Sequence, residues 1–200
     1  MKQSSRGGRV REHIAQEAAK IMHEQSLRDY QQAKRKACER LGLSDKAAMP
    51  GNVEIQQALA AYLELFKADT QPELITRLRK AAVIAMRFLA EFEPRLVGGV
   101  LQGTADRHMP VQLHVFAEPP ELILQFLIEQ GVDYQLAGKR VQYCDGRVDN
   151  ITLCQYRDAG VMVELFLFDR KGLREAPRSP VDGRPMQRMN LREVEKLIDD

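Results

Sequence analysis

Leu101-Gln102-Gly103-Thr104-Ala105-Asp106-Arg107-His108-Met109-Pro110-Val111-Gln112-Leu113-His114-Val115-Phe116 decides how this chain is read. Its second half alternates. Val111, Leu113 and Val115 take one face and Gln112, His114 and Phe116 the other, which is the period of a β-strand. Its first half holds Gly103-Thr104, a bend where glycine allows close backbone approach and a hydroxyl stands ready. The apolar residues 96–101, with two glycines, read as a preceding strand. Downstream, Pro119-Pro120-Glu121 opens a helix through Leu122, Phe126 and Leu127 that stops at Gly131. Further strands are predicted at residues 140–144, 151–156 and 161–168, with Asp145-Gly146 and Asp158-Ala159-Gly160 as turns. The run from Val161 to Phe168 is the most apolar of the chain and predicts a central strand.

Upstream the period changes to that of helices. Val10, Ile14, Ala18, Ile21 and Met22 form one stripe, and Leu27, Tyr30, Ala33, Ala37 and Leu41 a second. Ser26 is a candidate N-cap and Gly42 a candidate C-cap. Asn52 opens a helix with Ile55, Leu59, Tyr62, Leu63 and Phe66 inward. Thr70-Gln71-Pro72-Glu73 opens another, striped by Leu74, Leu78, Ala81, Ala85, Phe88 and Leu89 and closed by Pro94. The predicted class is therefore α+β, N-terminal helices followed by a mixed sheet. Residues 1–8 form a disordered tail, 9–93 a helical region, 94–170 the α/β domain, and 171–200 an extended tail. That tail ends in a short helix, with Asn190 and Glu193 at capping-box spacing.

Composition sets outer bounds. A 44% hydrophobic content supplies a core, and no run approaches the ~20 apolar residues that cross a bilayer. Cys38, Cys144 and Cys154 are odd in number and lack CxxC spacing, so they read as reduced thiols. The polar, basic start has no apolar stretch of signal-peptide type behind it, and these features together predict a cytoplasmic protein. Residues 1–46 carry eleven Lys/Arg against six Asp/Glu. Lys34, Arg35, Lys36 and Arg40 make the basic helical patch that would meet nucleic acid, set against the plainer reading of a solvated face.

The segment from residue 101 to 116 resembles the signature of the nucleotidyltransferase superfamily. There a Gly-Ser step is followed, after a short loop, by a strand carrying two aspartates one residue apart. Gly103-Thr104 matches the step and Val111–Phe116 the strand. The helix and the later strand with Glu164 follow in the family's order, where a third carboxylate often lies. The resemblance covers about seventy residues of the two hundred. It implies a nucleotidyltransferase-like domain that binds a nucleotide, another phosphorylated ligand or a partner protein.

The family's chemistry needs two carboxylates on one strand face to hold divalent ions. Here that pair would fall on Pro110 and Gln112, or on Gln112 and His114, and neither register supplies it. The implied protein is catalytically degenerate. Its pocket would be lined by Gly103, Thr104, Asp106, His108, Gln112, His114 and Glu164. The alternative is an active enzyme in which Asp106 and Glu164 supply oxygens to magnesium, the one cofactor this scheme would need. A His/carboxylate site for zinc or manganese at Asp106, His108, His114 and Glu164 lacks a recognised ligand spacing. The layout also resembles short bacterial proteins described as nucleotidyltransferases or as the ligase joining alanine to UDP-N-acetylmuramate. That ligase needs a glycine-rich loop ending in Gly-Lys-Ser/Thr, which no segment here matches. Glu164, inside an apolar strand, is expected to pair with Arg107 or Arg95 or to face a cleft.

Overall fold

A computed structural model describes residues 3–43, 48–66 and 70–199, omitting the side chains of residues 3–6 and 199. The chain is α+β and forms two compact units, residues 1–72 with 180–182 and residues 73–179 with 183–200. Among the described residues no helix is long and apolar enough to cross a membrane.

The first unit holds α1 (Gln3–Glu24), α2 (Tyr30–Leu41) and α3 (Asn52–Phe66). Ile14, Ala18 and Ile21 of α1 pack with Ala33 and Ala37 of α2 and Ile55, Leu59 and Leu63 of α3. The stripes are those the sequence spacing predicts, except that Phe66 at the end of α3 is 68% exposed. The N-cap of α2 is Asp29, not Ser26. Its Oδ1 accepts from the Gln31 and Gln32 N–H groups at 2.8 and 3.0 Å, while Ser26 sits in the preceding turn. Gly42 closes α2 in the left-handed region, as expected. The expected tail is shorter than read. Helix α1 already starts at Gln3, and residues 1 and 2 lie outside the described residues. Extending a nucleated helix fixes one residue per bond, so Gly7 and Gly8 do not stop it.

In the second unit α4 (Gln71–Phe88) turns Ile75, Leu78, Ala82 and Met86 into the core beneath the sheet. The boundary thus falls near Pro72, not near residue 93. Periodicity shows that α4 has an apolar face but not what that face meets.

The strands are β1 (Arg95–Val97), β2 (Val111–Phe116), β3 (Tyr134–Gln142), β4 (Val148–Asp158) and β5 (Val161–Phe168). They lie in the order β1-β2-β5-β4-β3. Only β2 and β5 are parallel, and β5 is central as its apolar sequence predicts. One face carries Val111, Leu113, Val115, Val163, Leu165, Cys154 and Tyr156 onto α4, α6 (Leu122–Glu129) and the C-terminal helix α7 (Leu191–Asp199). Asn190 and Glu193 form the reciprocal cap of α7, at 2.7 and 3.1 Å.

Residues 96–101 are not one strand. The chain leaves β1 at Val97 and turns at Gly98, with φ +72°. It then makes the short helix α5 (Gly98–Gln102), closed by Gly103 at φ +75°. Two glycines in the left-handed region bracket the helix, which apolar content alone does not reveal. Arg79 on α4 donates to the carbonyls of Val100 and Leu101, at 3.4 and 3.2 Å, and of Leu197 on α7, at 3.2 Å. These are end-of-helix acceptors without an intrahelical partner.

Candidate functional site

The sheet face opposite the helices carries a polar row. Register sets Val97 of β1 beside Gln112 of β2, Gln112 beside Glu164 of β5, and Glu164 beside Gln155 of β4. Glu164 is only 5% exposed. Its Oε2 accepts from Gln112 Nε2 at 2.8 Å and its Oε1 from Gln155 Nε2 at 2.9 Å. Each carboxylate oxygen thus receives an amide N–H, which offsets the cost of burying the charge. These two hydrogen bonds come from amides and not from the expected Arg107 or Arg95. Arg95 instead donates to the Glu93 and Pro94 carbonyls, and Arg107 contacts His108. Neutral amides satisfy the anion because they stand opposite it on the neighbouring strands.

Gly98 fixes Gln112 from the other side. A Cβ at position 98 would lie 2.2 Å from Gln112 Oε1. The amide therefore keeps its carbonyl toward Gly98 and its NH2 toward Glu164.

One step along the same face stands His114, 2% exposed. Its Nδ1 accepts from Arg188 Nε at 3.0 Å, and Phe166 and Phe168 flank its ring at 5.4 and 4.8 Å. Burial, and then the Arg188 charge, hold this imidazole well below its ordinary pKa. Arg188 itself donates to Gly172 O at 2.7 Å and lies over the Phe116 and Phe168 rings. Its Nη2 is buried without a hydrogen-bond partner. Burial lowers its pKa to about 10, and Arg95 adds to that lowering. The face around Phe116 and His114 is thus neither open pocket nor solvated sheet. Gly172, Leu173 and Arg188 pack over it.

The loop before β2 is organised differently from the sequence expectation. Gly103 caps α5, and the Thr104 N–H donates to Gly99 O at 2.9 Å. Asp106 makes an Asx-type turn, its Oδ1 accepting from the His108 and Met109 N–H groups at 2.6 and 3.0 Å, with Oδ2 buried and unpartnered. His108 is exposed. Of the seven candidates, the structure brings Gln112 and Glu164 into direct contact and places His114 on the adjoining row. The others serve their own loop. Among the described residues no three His, Cys, Asp or Glu side chains gather as a metal site. Magnesium does not fit the row: it favours clustered anionic oxygens, and here the single carboxylate is taken up by amide N–H groups.

The residues of the helical basic patch have partners of their own. Lys34 is 7% exposed, and Arg35 lies 3.9 Å from Glu39. Lys36 donates to Gln25, and Arg40 pairs with Glu17 and Glu24 at 2.8 and 3.4 Å. The stripe spacing puts Lys34 on the packed side of α2, and the acids of α1 answer Arg40. The cysteines form no disulfide among the described residues, Cys38 and Cys154 are buried and Cys144 exposed, and burial pushes the Cys154 thiol up to about 12.

Sequence reasoning missed Gln155, Gly98 and Arg188. Gln155 was detectable as the polar residue between Cys154 and Tyr156, once β4 and β5 are paired. Arg188 joins His114 across 74 positions and carries no local signal. Comparison of the chain with protein-family models, curated proteins and solved structures finds no match.

Proposed function

We propose that this chain is a nucleotidyltransferase-like protein that binds a nucleotide or another phosphorylated ligand without metal-dependent transfer. The carrying observation is the Gln112–Glu164–Gln155 row. In the resemblance, the paired carboxylates would fall on Pro110 and Gln112, or on Gln112 and His114, and Glu164, which stands opposite Gln112, would answer to the third. Where the family needs three oxygens for metal, this chain has one carboxylate bonded to amides.

Two cations on the adjoining row suit an anionic ligand. Arg188 has no carboxylate partner among the described residues, and Arg95, which lies 3.8 Å from Glu93, stands opposite His114. Oxyanions are recognised by guanidinium groups through directed N–H donors.

The test is a thermal-shift and pyrophosphate-release series on the full chain, with the four common nucleoside triphosphates, with and without magnesium. A binding triphosphate at a hundred times its Kd should add ~2.7 kcal/mol of stability, equally in EDTA and in magnesium. No pyrophosphate should appear. The double variant P110D/Q112D should acquire stabilisation by manganese or magnesium. Magnesium-dependent pyrophosphate release by the wild-type chain, lost in Glu164→Ala and Asp106→Ala, would instead establish the active transferase. Absence of any triphosphate shift would remove the ligand assignment.

A further inference from the structure

Strand β3 closes one end of the sheet. It pairs with β4 over nine residues, from Tyr134↔Tyr156 to Gln142↔Val148, and among the described residues no strand lies on its other side. In an antiparallel ladder the N–H and C=O of one residue point the same way, and successive residues alternate. Two bonds fix the phase. Tyr143 N–H donates to Arg147 O at 2.8 Å across the hairpin, so odd-numbered residues face β4. Gln142 O accepts from Arg178 N–H at 2.6 Å, so even-numbered residues face outward. Leu136, Gly138 and Arg140 therefore point their N–H and C=O groups away from the sheet. Among the described residues these groups bond to no other segment.

The side chains fit an edge that receives a strand. Residues 135–140 are all exposed, Leu136 to 54%. A Cβ at Gly138 would meet nothing within 4 Å, so the middle of the edge is open to close backbone approach. Lys139 shares a face with Ala137 and Arg140 with Leu136, so each face offers one cation. Neither makes an ion pair among the described residues, and no acid lies between Asp133 and Asp145.

We propose that β3 is a docking edge that takes an extended acidic segment of a partner protein as a sixth strand. Backbone bonds to Leu136, Gly138 and Arg140 supply the affinity, and Lys139 and Arg140 select glutamate or aspartate at neighbouring positions. Charge disfavours a second copy as occupant. Antiparallel self-pairing about Gly138 would gather two Lys139 and two Arg140 side chains in one seam with no acid between them, and edge lysines are a usual barrier to self-association.

The experiment uses the full chain and two blocked heptapeptides, one alternating valine with glutamate and one alternating valine with lysine. Titration is followed by calorimetry and by amide hydrogen exchange. The glutamate peptide should bind saturably and slow exchange at Leu136, Gly138 and Arg140, and the lysine peptide should not. The variant K139E/R140E should bind the glutamate peptide at least about tenfold more weakly and prefer the lysine peptide. Gly138→Pro removes one outward N–H and leaves the bonds to β4 in place. An edge strand tolerates proline with its nitrogen toward solvent, so this variant should keep its circular dichroism spectrum and lose the peptide. If Gly138→Pro does not fold, the charge-reversed variant carries the test. Equal binding of both peptides, unchanged binding by K139E/R140E, or self-association protecting these amides with no effect of peptide would overturn the proposal.

Discussion

His114 should make the sheet unit lose stability as the pH falls below neutrality, and the loss can be worked out. In the fold the imidazole is buried, its Nδ1 lone pair accepts from Arg188 Nε, and no carboxylate supports a second proton. Its pKa is depressed from an ordinary 6.5. The unfolded chain therefore takes up a proton that the folded chain refuses, so stability rises with pH. The contribution is complete above 6.5. It is lost as pH falls from 6.5 toward the folded value, at ~1.4 kcal/mol per pH unit. Between pH 7.5 and 5.5 the unfolded state gains about 1.4 kcal/mol from this one group. His114→Gln keeps an acceptor for Arg188 and cannot titrate. Urea unfolding followed by circular dichroism, which suits a chain with no tryptophan, should show the drop between those two pH values smaller by ~1.4 kcal/mol in the variant. The variant can be less stable at both pH values without affecting the comparison. An identical drop in both proteins would mean that His114 protonates within the fold, and the neutral Arg188–His114 contact would be refuted.

Two further outcomes follow from the packing around the polar row. Gly98→Ala combines a left-handed backbone with a Cβ that would sit 2.2 Å from Gln112 Oε1, so it should cost about 2–4 kcal/mol in urea unfolding; a cost under ~1 kcal/mol would show that Gln112 has another place to go. Arg79→Met strips three carbonyls at the ends of α5 and α7 of their donor and should cost about 2 kcal/mol, while the exposed Arg77→Met on the same helix stays within ~0.5 kcal/mol.

Sequence period was enough wherever one face of an element is buried and the other is not. The alternation of residues 111–116 matches β2 end to end, and the unbroken apolar run of residues 161–168 marks β5, covered on both faces at the sheet centre. Glu164 stands out in that run because a charge there must have a partner. The identity of the partner is not local. Gln112 lies 52 residues away, and only the parallel pairing of β2 with β5 puts it opposite. The break at Gly98 was hidden because residues 96–101 are apolar in either conformation, and what decides between them is a positive φ. Chain order also misassigned α4. It follows three helices in sequence, yet its buried stripe belongs to the core beneath the sheet. The loop candidates Asp106 and His108 lay in a stretch rich in functional residue types, but Asp106 is used to shape the turn.

The polar row also explains why Gln112 and Gln155 belong together. Suppose positions 110 and 112 carried carboxylates beside Glu164. Two such charges about 4 Å apart repel by roughly 4 kcal/mol at the effective dielectric of a protein surface, and a bound cation or an added proton would be needed to relieve them. With Pro110 and Gln112 the repulsion is absent, and the remaining anion is solvated by amide donors from the two flanking strands. Replacing Gln155 as well would leave one Glu164 oxygen without its donor, an uncompensated loss for a group 5% exposed. The carboxylate of the row is therefore satisfied by amide donors on both sides. Both Glu164 oxygens are bonded, and Gly98 locks the orientation of one donor. It follows that P110D/Q112D should be less stable than the wild-type chain in EDTA and recover when a divalent cation is supplied.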